Sequence, residues 1–307
     1  MSATGPGTAA RRVPGWVGVG VVALGAAIMG FSAISARFAY LGGTNTVTVL
    51  AIRFVFMTAM LFAFARAFGL PLGLPRRLVP AALGLGVAFT LTAYGYIGAV
   101  AYIPVSFTVL LIYTAPLVVA FLAWLLGGER FTAVKVAAVL IAFVGIAVMM
   151  GVSLAALDWR GVALAVIGSL SFAVATVGGA RVMREVAVPV IVGYMSAIAA
   201  LVFVSVGAAT DGFVPPTDTQ GWAGTAGVAV SFLLGFAFYF YGVKTIGETR
   251  SAVIANLEPV VAVLGAFVLL GESFTAPQAL GALLTLGGIT LLVWEDARLK
   301  RRPALAD

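Results

Sequence analysis

"GVKTIGETRSAVIANLEPVVAVLGAFVLLGESFT", residues 242–275, decides how the chain is built. The stretch is strongly apolar, yet it holds Glu258 and Pro259 side by side. A carboxylate in hydrocarbon is costly, and a proline removes a helical hydrogen bond and kinks the helix. Laid over residues 99–132, "AVAYIPVSFTVLLIYTAPLVVAFLAWLLGGERFT", it aligns without a gap at an offset of 143. Pro116 meets Pro259, Glu129 meets Glu272, Phe131 meets Phe274 and Thr132 meets Thr275. The same offset brings Trp16 to Trp159, Gly18 to Gly161, Gly25 to Gly168, Tyr96 to Tyr239 and Gly145 to Gly288. Apolar composition alone generates chance Val and Leu matches, but it does not align Pro, Glu, Trp and Tyr in one register. The chain is a duplication.

Composition says what the repeated unit is. Of 307 residues, 62% are hydrophobic and 9% charged, against about 25% charged in a soluble domain. Ten apolar runs, near 16–36, 46–68, 78–99, 102–126, 132–151, 159–181, 188–210, 220–243, 249–270 and 277–295, are each long enough to cross a core about 30 Å thick. Short connections rich in Gly, Pro or Asp, such as "LGGTN" and "DGFVPPTDTQ", separate them. The leading run follows Arg11 and Arg12 as a signal peptide would, and "SAISA" resembles a cleavage site. Its apolar length exceeds the roughly 7–15 residues of a signal core, so it reads as a retained helix.

Basic residues set the orientation. With the N-terminus cytoplasmic, all but Arg37, Arg53 and Arg160 of the 18 Lys and Arg fall on the cytoplasmic side. Each half contributes five spans, an odd number, so the second half enters the membrane from the opposite side. The expected fold is an all-α membrane protein with ten transmembrane helices in two inverted five-helix repeats, N- and C-termini cytoplasmic. Residues 1–15 form a tail, 16–151 the first repeat, 152–295 the second and 296–307 a basic tail. Many secondary transporters have this architecture, with the substrate at the repeat interface near the bilayer midplane.

"AIRF" at 51–54, the paired "P…GE.FT" ends of the fourth and ninth spans, and "LEP" at 257–259 resemble the drug/metabolite transporter superfamily, within it the EamA-type ten-helix permeases. The resemblance covers about residues 16–295, although "MGFSAISARF" at 29–38 lacks the Trp-Gly pair of many members. It implies a multi-pass permease of the cell's inner (plasma) membrane that moves small metabolites, amino acids or drugs.

The residue inventory narrows the chemistry. The chain has no Cys and no His, which excludes thiolate chemistry, imidazole triads and most zinc or haem sites. No metal or cofactor is expected. No G-x-x-x-x-G-K-[ST] loop supplies ATP hydrolysis. The net charge of +7 is scattered singly and in pairs between apolar runs, a topology signal and not a nucleic-acid surface. The expected partners are a small-molecule substrate and the lipid bilayer. The expected function is secondary active transport by alternating access, an exporter first, driven by a proton or substrate gradient. A membrane-embedded enzyme acting on lipids is the alternative, but it calls for several acidic groups on one face, and only Glu258 lies deep. A receptor or scaffold without flux is the third reading.

Glu258 stands about 13 Å from the cytoplasmic end of its span at 1.5 Å per residue, on one helical face with Ser251 and Ala255. It is the candidate for a substrate amine or a coupling proton, because ionisable groups inside membranes are functional by default. Arg53, about seven residues into the second span from its outer end, is placed to hold an anionic group, to pair with Glu258 or to snorkel outward. Pro116 and Pro259 break matching helices, each three residues after a polar Tyr113 or Asn256. Paired breaks of this kind point to a transporter's binding region. Tyr96 and Tyr239, near Tyr94, Phe236 and Phe240, suit an aromatic cavity. Glu129 and Glu272 read as structural punctuation beside the capping residues Thr132 and Thr275. Ala138, Ala142 and Gly145 match Gly281, Thr285 and Gly288, a small-residue stripe for internal helix packing, with a homodimer contact as its alternative use.

Overall fold

The computed structural model describes residues 14–100, 102–103, 105–126, 132–151, 158–210, 212–270 and 275–301. These residues form helices joined by turns and short irregular segments, and no strand is found among them. In order they form α1 (Gly15–Leu41), α2 (Thr46–Ala67), α3 (Val79–Val100), α4 (Val105–Ile112), α5 (Ala115–Leu125), α6 (Ala133–Met150), α7 (Trp159–Val182), α8 (Val188–Ala209), α9 (Thr219–Ile246), α10 (Glu248–Ala255), α11 (Leu257–Leu270) and α12 (Ala276–Arg301). Among the described residues, 9 stretches are long and apolar enough to cross a membrane, and Leu110–Leu125 is a shorter apolar helix. Every run read from the sequence is therefore helical, but two are interrupted. The fourth divides into α4 and α5 at Tyr113–Thr114, and the ninth into α10 and α11 at Asn256.

Polar residues start the helices where the sequence places them. Asn45, Asp158 and Asp218 cap α2, α7 and α9 by accepting from the amides of Thr48, Arg160 and Gly221 at 2.9, 2.8 and 2.6 Å. Thr132 accepts from the Lys135 amide at 3.2 Å. Thr275 and Gln278 satisfy one another's amides at 2.9 and 3.4 Å, a reciprocal capping box. Glu129 and Glu272 lie outside the described residues.

The helices pair mainly across the duplication. α1 packs against α9, α3 against α7, α2 against α8 and α6 against α12. The glycines matched by the 143-residue offset explain how. A Cβ on Gly18 would strike Ile246, and one on Gly161 would strike Ile103, the residue equivalent to Ile246. Gly25 meets Gly235 and Phe238, while Gly168 meets Thr92 and Gly95, again the equivalents. One close crossing thus occurs twice, α1 on α9 and α7 on α3, in one register. The α6–α12 crossing is shared by both halves: Gly145 lies against Gly281 and Thr285, and Gly288 against Ala138 and Ala142. Numbers rise along one helix as they fall along the other, so α6 and α12 run antiparallel. The small-residue stripe is consumed inside the chain, with the Thr285 hydroxyl donating to the Gly281 and Ala142 carbonyls at 2.9 and 3.4 Å.

The ends of the molecule can be placed from these contacts. Val19 and Val22 of α1 cluster with Ile289 and Val293 of α12, so the beginning of the first helix and the end of the last share one face. At the opposite face the α1–α2 and α8–α9 connections are tied together. Thr44 and Asn45 side chains donate to the Val214 and Gly212 carbonyls at 2.6 and 2.7 Å, and the Thr217 amide donates to the Gly42 carbonyl at 2.9 Å. A core of Phe54, Met57, Phe89, Ile191, Met195, Phe203 and Phe240 fills the space where α2 and α8 meet their neighbours.

A Cβ added to Gly288 would lie 2.6 Å from the Ala138 carbonyl oxygen and the Ala142 amide nitrogen, whereas Gly287 faces open space. Overpacking of this kind costs about 1–3 kcal/mol. Gly288→Leu is therefore expected to lower the Tm of detergent-purified protein clearly, while Gly287→Leu leaves it within error. Equal melting temperatures would contradict the antiparallel α6–α12 contact.

Candidate functional site

Two prolines open the middle of the molecule. Pro116 occupies the first turn of α5 and Pro259 that of α11. Lacking an N–H, they leave the carbonyls of Ile112 and Ala255 without their helical donors. Ile112 and Ala255 are repeat mates, and both border one cavity. Thr114 pins the first break: its hydroxyl lies 2.6 Å from the Leu111 carbonyl, to which it donates, and 2.8 Å from the Ser169 hydroxyl on α7. Irregular backbone at membrane depth is tolerated where it is buried in protein or lines a cavity, and these breaks do both.

The cavity has a volume of about 360 Å³ and lies between the two sets of crossed helices. Arg53, Tyr96, Tyr113, Tyr239, Asn256 and Glu258 all line it, as do Pro116 and Pro259. Gly30 brings α1 onto α11 beside this point, since a Cβ there would lie 2.8 Å from the Glu258 carbonyl oxygen. Tyr113 and Glu258, from opposite halves, both line the cavity.

Arg53 is 8% exposed and does not snorkel outward. It makes no direct ion pair with Glu258. Its guanidinium carbon instead sits 4.4 Å from the Phe54 ring centre and 3.8 Å from that of Phe232, a position in which aromatic faces stabilise a cation. Its Nε is buried without a hydrogen-bond partner, as is the Asn256 Oδ1. A largely apolar cavity is therefore bordered by a cation, a carboxyl, an unmatched donor and an unmatched acceptor. Both charges occur once: the repeat mate of Arg53 is Ser196 and that of Glu258 is Ala115.

Ser251 does not reach this site. A helix running unbroken to Glu258 would put both on one face, but the turn at Asn256 interrupts it. Ser251 is instead fully buried, and its hydroxyl donates to the Gly247 carbonyl at 2.8 Å. Phe236 lines the cavity, Phe240 belongs to the core, and Tyr94 is exposed away from it. Sequence reasoning missed Phe232, Phe172 and Met29, which also line it. The spacing of Phe232, Phe236 and Tyr239 along one face of α9 was the available signal.

The profile of the EamA-like transporter family matches the chain twice, over residues 16–151 and 159–294. An uncharacterized transporter of Archaeoglobus fulgidus is 27% identical over 285 residues, 91% of this chain and 97% of the relative. The threonine/homoserine exporter RhtA of Escherichia coli K12 is 27% identical over 300 residues, 94% of this chain and 97% of the exporter. A protein of known crystal structure is similar in fold, with a TM-score of 0.77 at 21% identity, covering 92% of this chain and 98% of its own.

A buried charge without a direct counter-ion lowers stability unless it serves another purpose. Arg53→Met keeps the length and removes the charge. The variant is expected to melt no lower than the wild type and to lose the stabilisation that ligands confer on it. A large drop in Tm would assign Arg53 a structural role.

Proposed function

The chain belongs to the EamA-like transporter family, and on that premise we propose that it is a secondary active exporter of small zwitterionic metabolites, amino acids foremost, working by alternating access. It is a membrane transporter and not an enzyme, a multi-pass protein of the inner (plasma) membrane. The observation that carries the substrate reading is the separation of Arg53 and Glu258 within one cavity. Arg53 is suited to an anionic group such as a carboxylate and Glu258, with Tyr113, to an ammonium, while Tyr96, Tyr239 and the phenylalanines contact the apolar remainder. The name of the E. coli relative, a threonine/homoserine exporter, agrees with this substrate class.

Rocking of the two sets of crossed helices against each other, each drawn from both halves, exposes the cavity to each side in turn. The inverted arrangement of the two repeats is supported by the antiparallel α6–α12 crossing and the doubled α1–α9 and α3–α7 crossings. Cytoplasmic termini are supported by the distribution of basic residues. Glu258 is the group that exchanges a proton for substrate, and Pro116 and Pro259 shape the walls that hold it.

The test is counterflow in proteoliposomes loaded with threonine or another amino acid. Glu258→Gln is expected to cut flux at least about tenfold, in line with loss of a charge-assisted contact, and to remove its dependence on a pH gradient. Full pH-dependent flux in that variant would end the coupling role.

A further inference from the structure

The offset of 143 residues exchanges α1 with α7 and α3 with α9. The principal crossings obey this exchange, but some secondary ones do not: α5 packs on α10 and α8 on α9, while among the described residues their mates α11 on α4 and α2 on α3 have no comparable packing. α7 packs on α9 beneath the cavity, and among the described residues α1 has no comparable packing on α3. Tyr239 makes the α7–α9 contact. Its ring lies 5.3 Å from that of Phe172, and its hydroxyl is hydrogen-bonded to the Thr176 hydroxyl at 3.0 Å. Thr176 is fully buried and Tyr239 is 4% exposed.

The repeat mates of Tyr239, Phe172 and Thr176 are Tyr96, Met29 and Ala33. Tyr96 is 38% exposed, and Tyr96 and Met29 both border the cavity. The cavity extends to Met150, the last residue of α6 on the face opposite the termini. Toward the face carrying the termini it goes no further than Tyr239 and Ala252. There Val119, Ala173 and Val177 close on Ala252, joining α5 and α7 to α10.

We propose that Tyr239 and Thr176 form the gate on the face that carries the termini, and that Tyr96 closing on α1 near position 33 forms its counterpart. The two gates are unequal. The first closes with a buried hydrogen bond, whereas alanine at position 33 gives Tyr96 no hydroxyl to meet. That single bond holds the empty protein closed on the terminus-bearing face and accessible from the other. Thr176 is thus a positioning residue that sets which side the cavity faces, and it touches no substrate. The inference rests on the two-sided access proposed above, but its test reads conformation and not flux.

The chain contains no cysteine, so Ala255→Cys in the cavity provides a unique reporter for a membrane-impermeant maleimide. Labelling is measured from each face in sealed vesicles of both orientations, with no substrate present. In the parent, labelling is expected chiefly from the face opposite the termini. Thr176→Val shifts the ratio about fivefold toward the terminus-bearing face, the population change set by one net hydrogen bond, and Thr176→Ser restores it. Ala33→Thr, which leaves the Tyr239 contact intact, shifts the ratio in the same direction by supplying Tyr96 with a partner. An unchanged ratio in Thr176→Val and Ala33→Thr, or a Thr176→Ser that behaves like Thr176→Val, overturns the proposal. A shifted ratio without any amino-acid flux keeps the gate and defeats the transport reading instead.

Discussion

Inside a bilayer a backbone amide has only protein to bond to, and this constraint shapes every other feature of the chain. It explains why the described residues are helical and why breaks occur only where something else receives the released groups. Among the described residues, the turns at Tyr113–Thr114 and Asn256 are the two places where mid-membrane backbone leaves the helix. Both sit against the cavity, and the first is secured by Thr114 and Ser169. The prolines that follow do more than bend a helix. Each starts a new one from within the membrane, so that its neighbours present side chains and carbonyls to the cavity.

The duplication and the site divide the residues between them. What the halves share is structural: Gly18 with Gly161, Gly25 with Gly168, Gly145 with Gly288 and the two prolines set helix approach and helix breaks. What only one half has is chemical: Arg53 against Ser196, Glu258 against Ala115, Thr176 against Ala33. A symmetric scaffold cannot by itself distinguish two ends of a substrate or two sides of a membrane. The single-copy residues supply both distinctions, and they converge on one space.

Much of the fold was legible because the signals are long and repeated. Ten apolar runs and a fixed offset are hard to misread, and the repeated prolines marked the two interrupted helices. The consequence of those interruptions was less legible. Ser251 was placed with Glu258 by assuming 3.6 residues per turn throughout, and one turn at Asn256 redirected it toward Gly247. Arg53 gave three readings by depth alone. Only the position of Phe232, 179 residues away in sequence, separates them. Thr176 carried no signal, since a single threonine in a membrane helix usually bonds its own backbone. Its partner Tyr239 is a contact between helices, and such contacts are not written in the periodicity of either one.

The pairing of helices across the duplication has a consequence for how the chain is made. α1 finds its main neighbour in α9, α2 in α8, α3 in α7 and α6 in α12. Neither half encloses a core of its own, although each is a complete copy of the repeated unit. When ribosomes have delivered the first five spans, those helices have lipid where they will later have protein. At about 5–20 residues per second, the stripe on α6 waits roughly 7–30 seconds for its mate on α12 to emerge. During that interval Thr44 and Asn45 lack the carbonyls of Val214 and Gly212 that they will hold. A single copy of the repeat would face the same shortage, and a second copy inserted the other way round relieves it.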